Sequence, residues 1–501
     1  MQAGSTRYSV AYKRGVTLLL MSAYACNSMD RSLISIVGQP MKTDLGLTDS
    51  QLGLLGGTAF ALLYAFGGIP VARLAERFNR VNIITIALIV WSSLSALCGA
   101  AAGFPQLLLA RMGVGIAEAG CSPPAHSLIS DFYEPAERTS ALSVYSCGTS
   151  LGYLSAAVLG GYVAQQAGWR TACLIVGVPG IAIALLIKGI IREPPRGYSD
   201  TLQLERVAST VIAPAPATRA GVLGTDVLGA SVLDTGVRDT GVRDPFSLRS
   251  ELSELIAVAK SMASDRPVRH MVLGVTLGGF AAYGLYAFLP PYFNRVFHLN
   301  YATVGVIAGL SGGVAVGFGI LVGGFVADAL ARRDPRWYAL VPALGTLIAV
   351  PFYLLALLQS DWIMATGLLS LAGFFQYASL GPTFGVIQNA VGERRRATAT
   401  ALLYIALSVF ALGSGPLFTG WAIDRFADSR FAQLYPTGSF EVECHGGIAA
   451  PTATPELKSA CGKTLGTATR RGMLITLAFF TWASIHYFLA AAAMRRPLAT
   501  Q

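Results

Sequence analysis

The chain carries little charge for its length. Only 13% of its 501 residues are Asp, Glu, Lys or Arg, whereas 53% are hydrophobic. Soluble proteins average roughly 25% charged residues, so this composition does not fit an ordinary soluble protein. The mean hydropathy of +0.55 agrees with that interpretation. The sequence predicts an integral membrane protein.

Several sequence signals of catalysis and export are also missing. The chain has no nucleotide-binding glycine loop, no zinc-ligand spacing and no nucleophile beside a base. We therefore expect no enzymatic activity, no metal and no other cofactor. The first apolar run lacks a cleavage site and contains Asp30 and Arg31, so we expect an uncleaved membrane span rather than a signal peptide.

The seven cysteines fall into two groups. Five lie in predicted spans, where we interpret them as packing residues: Cys26, Cys98, Cys121, Cys147 and Cys173. Cys444 and Cys461 lie in a polar loop, 425–470, which the predicted topology places outside, where disulfides persist. We predict a bridge between them; the alternative is two free thiols.

Long apolar runs recur along the chain as six, a polar gap and six more. Runs of about 20 residues span the hydrocarbon of a bilayer, and they lie near 16–37, 51–74, 83–103, 105–130, 139–165, 170–191, 269–293, 301–328, 337–358, 361–391, 397–421 and 471–493. We predict an all-α membrane protein of twelve transmembrane helices in two six-helix bundles. The bundles are residues 1–191 and 268–501, and the linker 192–267 contains an amphipathic helix over 247–264.

Lys and Arg cluster in the connections that share one side of this topology, and the formal net charge is +10. The positive-inside rule then places both termini in the cytoplasm. The excess of Arg over Lys and of Ala and Gly suits a GC-rich bacterium, so we expect the membrane to be a bacterial inner membrane. Because the basic residues are spread over many short loops, we do not expect nucleic acid as a partner.

Four ionisable residues interrupt the apolar runs. Asp30 and Arg31 lie in the first run, and Arg111 and Glu118 lie in the fourth. A charge at the bilayer centre costs roughly 2.5–3.5 kcal/mol, so each residue needs a partner or a wet cavity. Arg111 and Glu118 share one helix face, about 10 Å apart along the axis. The four residues are predicted to form the core of a polar transport pathway.

Two connections repeat one pattern at the same place in each half. Residues 72–80 read ARLAERFNR, and residues 324–333 read GFVADALARR. Both resemble the G-x-L-A-D-R-x-G-R signature of the major facilitator superfamily. The departures from that form are Ala72, Glu76, Asn79 and Ala329. The resemblance implies cytoplasmic gating contacts in the outward-open state, made by Glu76, Arg77, Arg80, Asp328, Arg332 and Arg333.

A narrower resemblance, to the Spinster group of that superfamily, rests on four features. They are Met29-Asp30-Arg31, Asn79 in the first signature loop, the fourth-span sequence RMGVGIAEA at 111–119, and the loop around Asp328. It implies a proton-coupled secondary transporter for an anionic amphiphile, a lysophospholipid or sphingoid phosphate. Asp30 and Glu118 would bind protons, while Arg31 and Arg111 would balance charge or recognise the anion.

The C-terminal half offers aromatic and amide side chains, with no ionisable residue evident in mid-span. The candidates for contact with substrate are Tyr283, Tyr286, Phe374, Gln376, Tyr377 and Asn389. A charged half facing an aromatic half suits an anionic head with an apolar tail. The alternative is that these residues only pack between helices.

Three other interpretations remain open at this point. The four charges could form a static salt-bridge network. The same residues also resemble those of organic-anion/proton symporters for sugar acids. A third possibility is a transporter-derived sensor that binds without turnover. In the leading interpretation the partners are a small-molecule or lipid substrate, protons and membrane lipids, and the protein acts as a monomer.

Overall fold

The computed structural model describes residues 8–133, 135–196, 198–199, 248–389 and 396–494. Within a few of the helices it describes the backbone only, and the side chains of Glu76 and Asn389 are among those left out. The described part of the chain is almost wholly helical. The all-α prediction is therefore confirmed.

In the part of the N-terminal half that the structure describes, there are eight α-helices. They are α1 (Val10–Leu45), α2 (Asp49–Gly53), α3 (Ala59–Arg77), α4 (Arg80–Cys98), α5 (Phe104–Glu118), α6 (Ser122–Phe132), α7 (Pro135–Ser155) and α8 (Gly161–Ile190). Gly168, with φ +81°, turns the chain inside α8, so that α8 contributes to two successive spans.

The linker region contributes α9 (Leu248–Ser264), where the sequence predicts an amphipathic helix. The C-terminal half then contains α10 (Arg266–Phe297), α11 (Tyr301–Ala308), α12 (Ala315–Ala331), α13 (Trp337–Leu358), α14 (Trp362–Tyr377), α15 (Leu380–Asn389), α16 (Arg396–Ala406), α17 (Ser414–Leu434), α18 (Phe440–Glu443), α19 (Pro455–Thr476) and α20 (Ala478–Ala493).

In the described part of the chain, nine helical runs are long and apolar enough to cross a membrane. One of them, Val144–Ile190, is 47 residues long and turns at Gly168, so it accounts for two spans. The two predicted spans outside this set are α1 and α5–α6. These are the spans that contain Asp30, Arg31, Arg111 and Glu118.

Four helical runs contain a π-helical turn, and these turns occupy equivalent places in the two halves. They are Leu54–Thr58, Ala156–Gly160, Gly309–Val314 and Leu407–Gly413, in the second, fifth, eighth and eleventh spans. The Thr58 hydroxyl donates a hydrogen bond to the carbonyl oxygen of Gly413, directly across the interface between the halves. Such turns occur often at functional sites, and here they bring the two halves into backbone contact.

The halves are packed together at one end of the molecule. We call it the disulfide end, because Cys444 and Cys461 are joined by a disulfide there. The largest buried cluster includes Val37 and Met41 of one half with Phe288 and Phe293 of the other. Two further clusters lie within the N-terminal half and within the C-terminal half respectively. Among the described residues the halves therefore share a core at the disulfide end and diverge toward the opposite end.

The predicted polar loop 425–470 is wrong in its bounds. Helix α17 continues to Leu434 and α19 begins at Pro455, which leaves 435–454 as the connection. The extra turns are amphipathic: Phe431 and Leu465 are buried on one face while the other face is polar. A hydropathy average does not detect such turns. Thr454 supplies the N-cap of α19, and Pro455 suits its first turn.

Candidate functional site

A cavity of about 400 Å³ lies between the halves, near the middle of the bundle. Its N-terminal wall is formed largely by α1, with Tyr24, Asn27, Ser28, Arg31, Ser32 and Ser35. Its C-terminal wall comes from α10, α12, α14, the start of α15 and α17, and the π turns before α12 and α17. Because the halves share their core at the disulfide end, the cavity is accessible from the opposite end.

Arg31 and Glu118 form an ion pair at the cavity wall. Nε of Arg31 donates to Oε2 of Glu118 at 2.7 Å. The Arg31 side chain is 29% exposed, whereas Glu118 is fully buried behind it. The guanidinium also lies over the rings of Tyr64, at 4.3 Å, and Phe60, at 4.8 Å. Arg31 is therefore the charged group of this pair that a ligand in the cavity can reach.

Asp30 and Arg111 complete the charged group. Both are almost fully buried, at 3% and 2% exposure. Asp30 lies within electrostatic reach of Glu118, Arg111 and Arg31. The structure thus brings together all four ionisable residues that the sequence singles out, two acids and two bases.

Several polar atoms of this group are buried with no hydrogen-bond partner among the described residues. They are both amide atoms of Asn27, Oδ1 of Asp30, Oε1 of Glu118, Nη2 of Arg31 and Nε of Arg111. A buried polar group without a partner costs about 1–3 kcal/mol. Asn27, Arg31 and Arg111 also line the cavity, so water or a ligand there can satisfy them.

The C-terminal wall is aromatic. Tyr283, Tyr286 and Tyr377 line the cavity, and the rings of Tyr286 and Tyr377 meet edge to face at 6.1 Å. Beyond them toward the opposite end, the lining becomes aliphatic, with Val316, Ile320 and Leu380. The wall is neutral and increasingly apolar along that path.

The other C-terminal candidates that the structure describes do not line the cavity. Gln376 precedes Tyr377 and so points about 100° away from it; it is buried and is not part of the cavity lining. Phe374 packs on Phe375 at 5.3 Å. The side chain of Asn389 lies outside the described residues.

Sequence reasoning missed most of the α1 wall. Tyr24, Asn27, Arg31 and Ser35 follow one another at intervals of three or four residues, and Ser28 is next to Asn27. That spacing puts them on one helix face. A polar stripe through an apolar span was therefore the available signal. Tyr153 of the N-terminal half and Gly312 of the C-terminal half also approach closely, and nothing in the local sequence indicates that contact.

Apart from Glu76, whose side chain lies outside the described residues, the predicted gating residues are exposed to solvent or bonded to groups outside the opposite half. Arg77, Arg332 and Arg333 are exposed, and Asp328 accepts a hydrogen bond from Tyr338 at 3.0 Å. Arg80 is fully buried and pairs with Asp131 at 2.5 Å and with Glu193 at 2.6 Å. Arg80 therefore ties α4, α6 and the start of the linker together. Contacts of these residues across the halves remain a prediction for another conformation.

A second ionic cluster, missed from sequence, joins the halves at the disulfide end. Asp49 pairs with Lys42 of its own half at 2.7 Å and with Arg295 of the other half at 2.6 Å. Arg295 also donates to Gln39 and Thr469. Asp424 accepts from the backbone N–H groups of Asp49 and Ser50 at the start of α2. Lys42, Asp49 and Arg295 lie near helix ends, where a single sequence suggests only solvated charge.

The structure joins Cys444 to Cys461 in a disulfide at this same end. Cys444 ends the turn after α18, and Cys461 lies in the second turn of α19; both are buried.

Comparison with known proteins places this arrangement in a family. The model of the Major Facilitator Superfamily matches residues 20–416, most of the chain. The chain belongs to the Major Facilitator Superfamily. It is a multi-pass membrane transporter.

A crystal structure of a bacterial homologue of the human lysosomal transporter Spinster, inward-facing and unoccupied, is 30% identical and superposes with a TM-score of 0.78. The match covers 97% of this chain and 98% of that one. An MFS-type efflux pump of Mycolicibacterium smegmatis is 30% identical over 81% of this chain and 83% of its own length. The probable L-galactonate transporter of Escherichia coli is 24% identical over 83% of this chain and 84% of its own length. The chain is thus a Spinster-like member of the superfamily.

Proposed function

We propose that this protein is a proton-coupled secondary transporter that moves an anionic amphiphile by alternating access. The observation that carries the proposal is the Arg31–Glu118 pair, in which a ligand-accessible cation covers a buried acid. The acid can take up a proton only as the cation moves away, so the pair can link anion binding to proton binding.

The coupling follows from the geometry of the pair. An anionic group in the cavity competes with Glu118 for the guanidinium of Arg31. Arginine suits this role, because its planar fork donates two parallel hydrogen bonds to a carboxylate or phosphate. Once Arg31 turns to the ligand, Glu118 becomes a buried carboxylate without its cation, and protonation neutralises it. Anion binding and proton binding then favour each other.

Asp30 and Arg111 stand behind this pair as a second acid and base. Both are buried, so the charge of one compensates the other while Arg31 and Glu118 exchange partners. Asp30 is the second proposed proton site, and Arg111 the second charge-balancing residue. The static salt-bridge network is disfavoured by the unpartnered polar atoms around the four residues.

The apolar path on the C-terminal wall is an argument for an amphiphile as the substrate. A head group at Arg31 would have Tyr283, Tyr286 and Tyr377 opposite it. A chain attached to that head would follow Val316, Ile320 and Leu380 toward the opposite end. Apolar area removed from water contributes about 25 cal/mol per Å², so this wall rewards a lipid tail.

A proton symporter for sugar acids is the second candidate. It is favoured by the polar stripe on α1 and the tyrosine hydroxyls, which suit a hydroxylated carboxylate. The sequence similarity to the L-galactonate transporter supports the same candidate. A compact sugar acid would leave the aliphatic part of the wall unused.

The proposed orientation puts both termini in the cytoplasm of a bacterial inner membrane, with the protein acting as a monomer. Basic residues such as Arg77, Arg332 and Arg333 lie at the end away from the disulfide, which agrees with the positive-inside rule. The described conformation is then inward-open.

The test is transport by protein reconstituted in liposomes that contain a pH-sensitive dye. Lysophospholipids and sphingoid phosphates are added beside sugar acids, and empty liposomes report leak caused by the amphiphiles. Proton flux that depends on amphiphile and is lost in Asp30→Asn supports the proposal. A response to sugar acids alone selects the second candidate, and saturable binding without flux refutes proton coupling.

A further inference from the structure

A turn of three residues in the C-terminal half lies directly on the end of α1 in the N-terminal half. This turn, His445–Gly447, belongs to the connection between α17 and α19. A Cβ on Gly446 would lie 2.9 Å from the carbonyl oxygen of Lys42 and 3.3 Å from Cα of Gly46. The two backbones therefore touch at a distance that only glycine permits.

The surface of α1 is shaped to accept this turn. Gly46 ends α1 in the left-handed conformation, with φ +66°. A Cβ at Gly46 would collide with the imidazole of His445. Gly446 and Gly447 are also left-handed, with φ +65° and +89°. Glycines on both sides, each in a conformation that other residues adopt with strain, define one contact across the halves.

A covalent bond fixes the turn on its own half. Cys444 immediately precedes His445, and its disulfide to Cys461 ties it to α19. The same helix packs Leu465 against Gly447 and provides Thr469 to Arg295. The turn, α19 and Arg295 are thus one connected unit of the C-terminal half.

The turn also covers the ionic cluster of the disulfide end. Gly447 lies beside Lys42, where a Cβ would be 3.7 Å from Cε. Beneath it, Lys42 and Asp49 are 2% and 0% exposed. Exposed ion pairs contribute little because water and salt screen them, whereas buried pairs are screened much less. Excluding water from Lys42 and Asp49 therefore strengthens the contact between Asp49 and Arg295.

We propose that His445–Gly447 is a latch that holds the disulfide end closed, and that the Cys444–Cys461 disulfide keeps the latch in register with α1. The proposal rests on the alternating-access cycle proposed above, and it assigns a role to a connection outside the transport cavity. Opening of the disulfide end requires the latch to leave α1, which admits water to Lys42 and Asp49.

The test is hydrogen–deuterium exchange of the full-length protein in nanodiscs, read by mass spectrometry. The first variant is Gly446→Ala, and its matched control is Gly462→Ala, since a Cβ at Gly462 meets no atom within 4 Å. The second is the double variant Cys444→Ala/Cys461→Ala. The latch predicts about tenfold faster exchange over residues 42–53 in both, a local-opening effect, and no change in the control.

Faster exchange confined to residues 439–461 would overturn the proposal, because the disulfide would then only order its own loop. Unchanged exchange at 42–53 would overturn it equally. If Gly446→Ala fails to fold, His445→Ala tests the same contact without backbone strain. The exchange experiment uses no substrate, so it tests the latch independently of transport. If the transport assay fails and the predicted exchange is observed, the proposed function is rejected and the latch is still supported.

Discussion

Arg295 of the C-terminal half donates two hydrogen bonds to Asp49 of the N-terminal half, at 2.6 and 3.0 Å, with both side chains almost fully buried. In addition, each half contributes a second charged residue to this cluster, opposite in sign to its first one. Lys42 pairs with Asp49, and Asp424 lies on the same side of the interface as Arg295. When the halves separate, each one retains one acid and one base. The interface can therefore open without leaving either half with a net buried charge.

This charge balance predicts an order of effects. Arg295→Met leaves Asp49 paired with Lys42, so we expect the disulfide end to loosen by about 1–3 kcal/mol, the cost of a lost hydrogen bond to a charged group. Asp49→Asn removes the acid that both Lys42 and Arg295 contact and leaves the two bases to share Asp424, so we expect a loss of about 3–5 kcal/mol. Each 1.4 kcal/mol shifts the ratio of closed to open molecules tenfold.

Distances between spin labels at Ala102 and Lys463 measure that ratio, because both residues are exposed and lie near the disulfide end of different halves. Cys147 is replaced by serine, since it is the exposed free cysteine among those described. Arg470→Met is the matched control, because Arg470 bonds to Gln359 within its own half. Equal effects of Arg295→Met and Asp49→Asn would contradict the charge-balance argument.

Glu118→Gln should separate anion binding from proton binding. The amide keeps the shape of the side chain but can no longer compete as a carboxylate for Arg31. In the wild type, acidification protonates Glu118 and frees Arg31, so anion affinity should rise as pH falls. In the variant, affinity should be high and almost independent of pH, and proton flux should be lost.

Binding measured by calorimetry across a pH series checks this prediction, with Glu441→Gln, an exposed acid, as control. A variant that binds the anion with the pH dependence of the wild type would show that another group, with Asp30 the first candidate, carries the coupling.

The sequence was sufficient to predict the fold and the four charged residues of the candidate site, but it was not sufficient to predict the contacts between the halves. Asp30, Arg31, Arg111 and Glu118 stand out because a charge inside an apolar run is costly wherever it lies. Lys42 and Arg295 lie near helix ends, where charge is ordinary, and only the packing of two distant helices buries them. Gly46 and Gly446 are 400 residues apart, and no local pattern reports that their backbones meet. The helix ends that contain Phe431 and Leu465 are not detected by a hydropathy average, because only one face of each is apolar.

Arg80→Met should reduce stability without changing the balance between conformations. The guanidinium holds Ser127 and Asp131 of the N-terminal half and Glu193 at the start of the linker, and none of these belongs to the C-terminal half. Removing it leaves two carboxylates near each other, although both are partly exposed, at 13% and 22%. We expect a loss of about 3 kcal/mol, at the low end for a broken buried pair. Thermal melting in detergent measures it, with the exposed Arg77→Met as control. A changed label distance at the disulfide end, with melting unaltered, would instead favour a gating role for Arg80.

Two interface glycines beside the π turns provide a test of how closely the halves must approach. Gly305 at the start of the eighth span faces Ala157 and Gly161 in the fifth span. A Cβ on Gly305 would overlap the carbonyl oxygen of Ala157, and a Cβ on Gly161 would lie 3.1 Å from Cα of Gly305. Backbone cannot yield as a flexible side chain can, so Gly305→Ala should force these spans apart and favour the state that is open at the disulfide end.

Gly367→Ala is the control for this prediction: no atom lies within 4 Å of its Cβ, and alanine should stabilise that helix by up to about 1 kcal/mol. The same pair of spin labels reads the outcome. If Gly305→Ala lowers the melting temperature but leaves the label distance unchanged, the close contact serves only the packing of the closed state, and the π turns are not where the two halves separate.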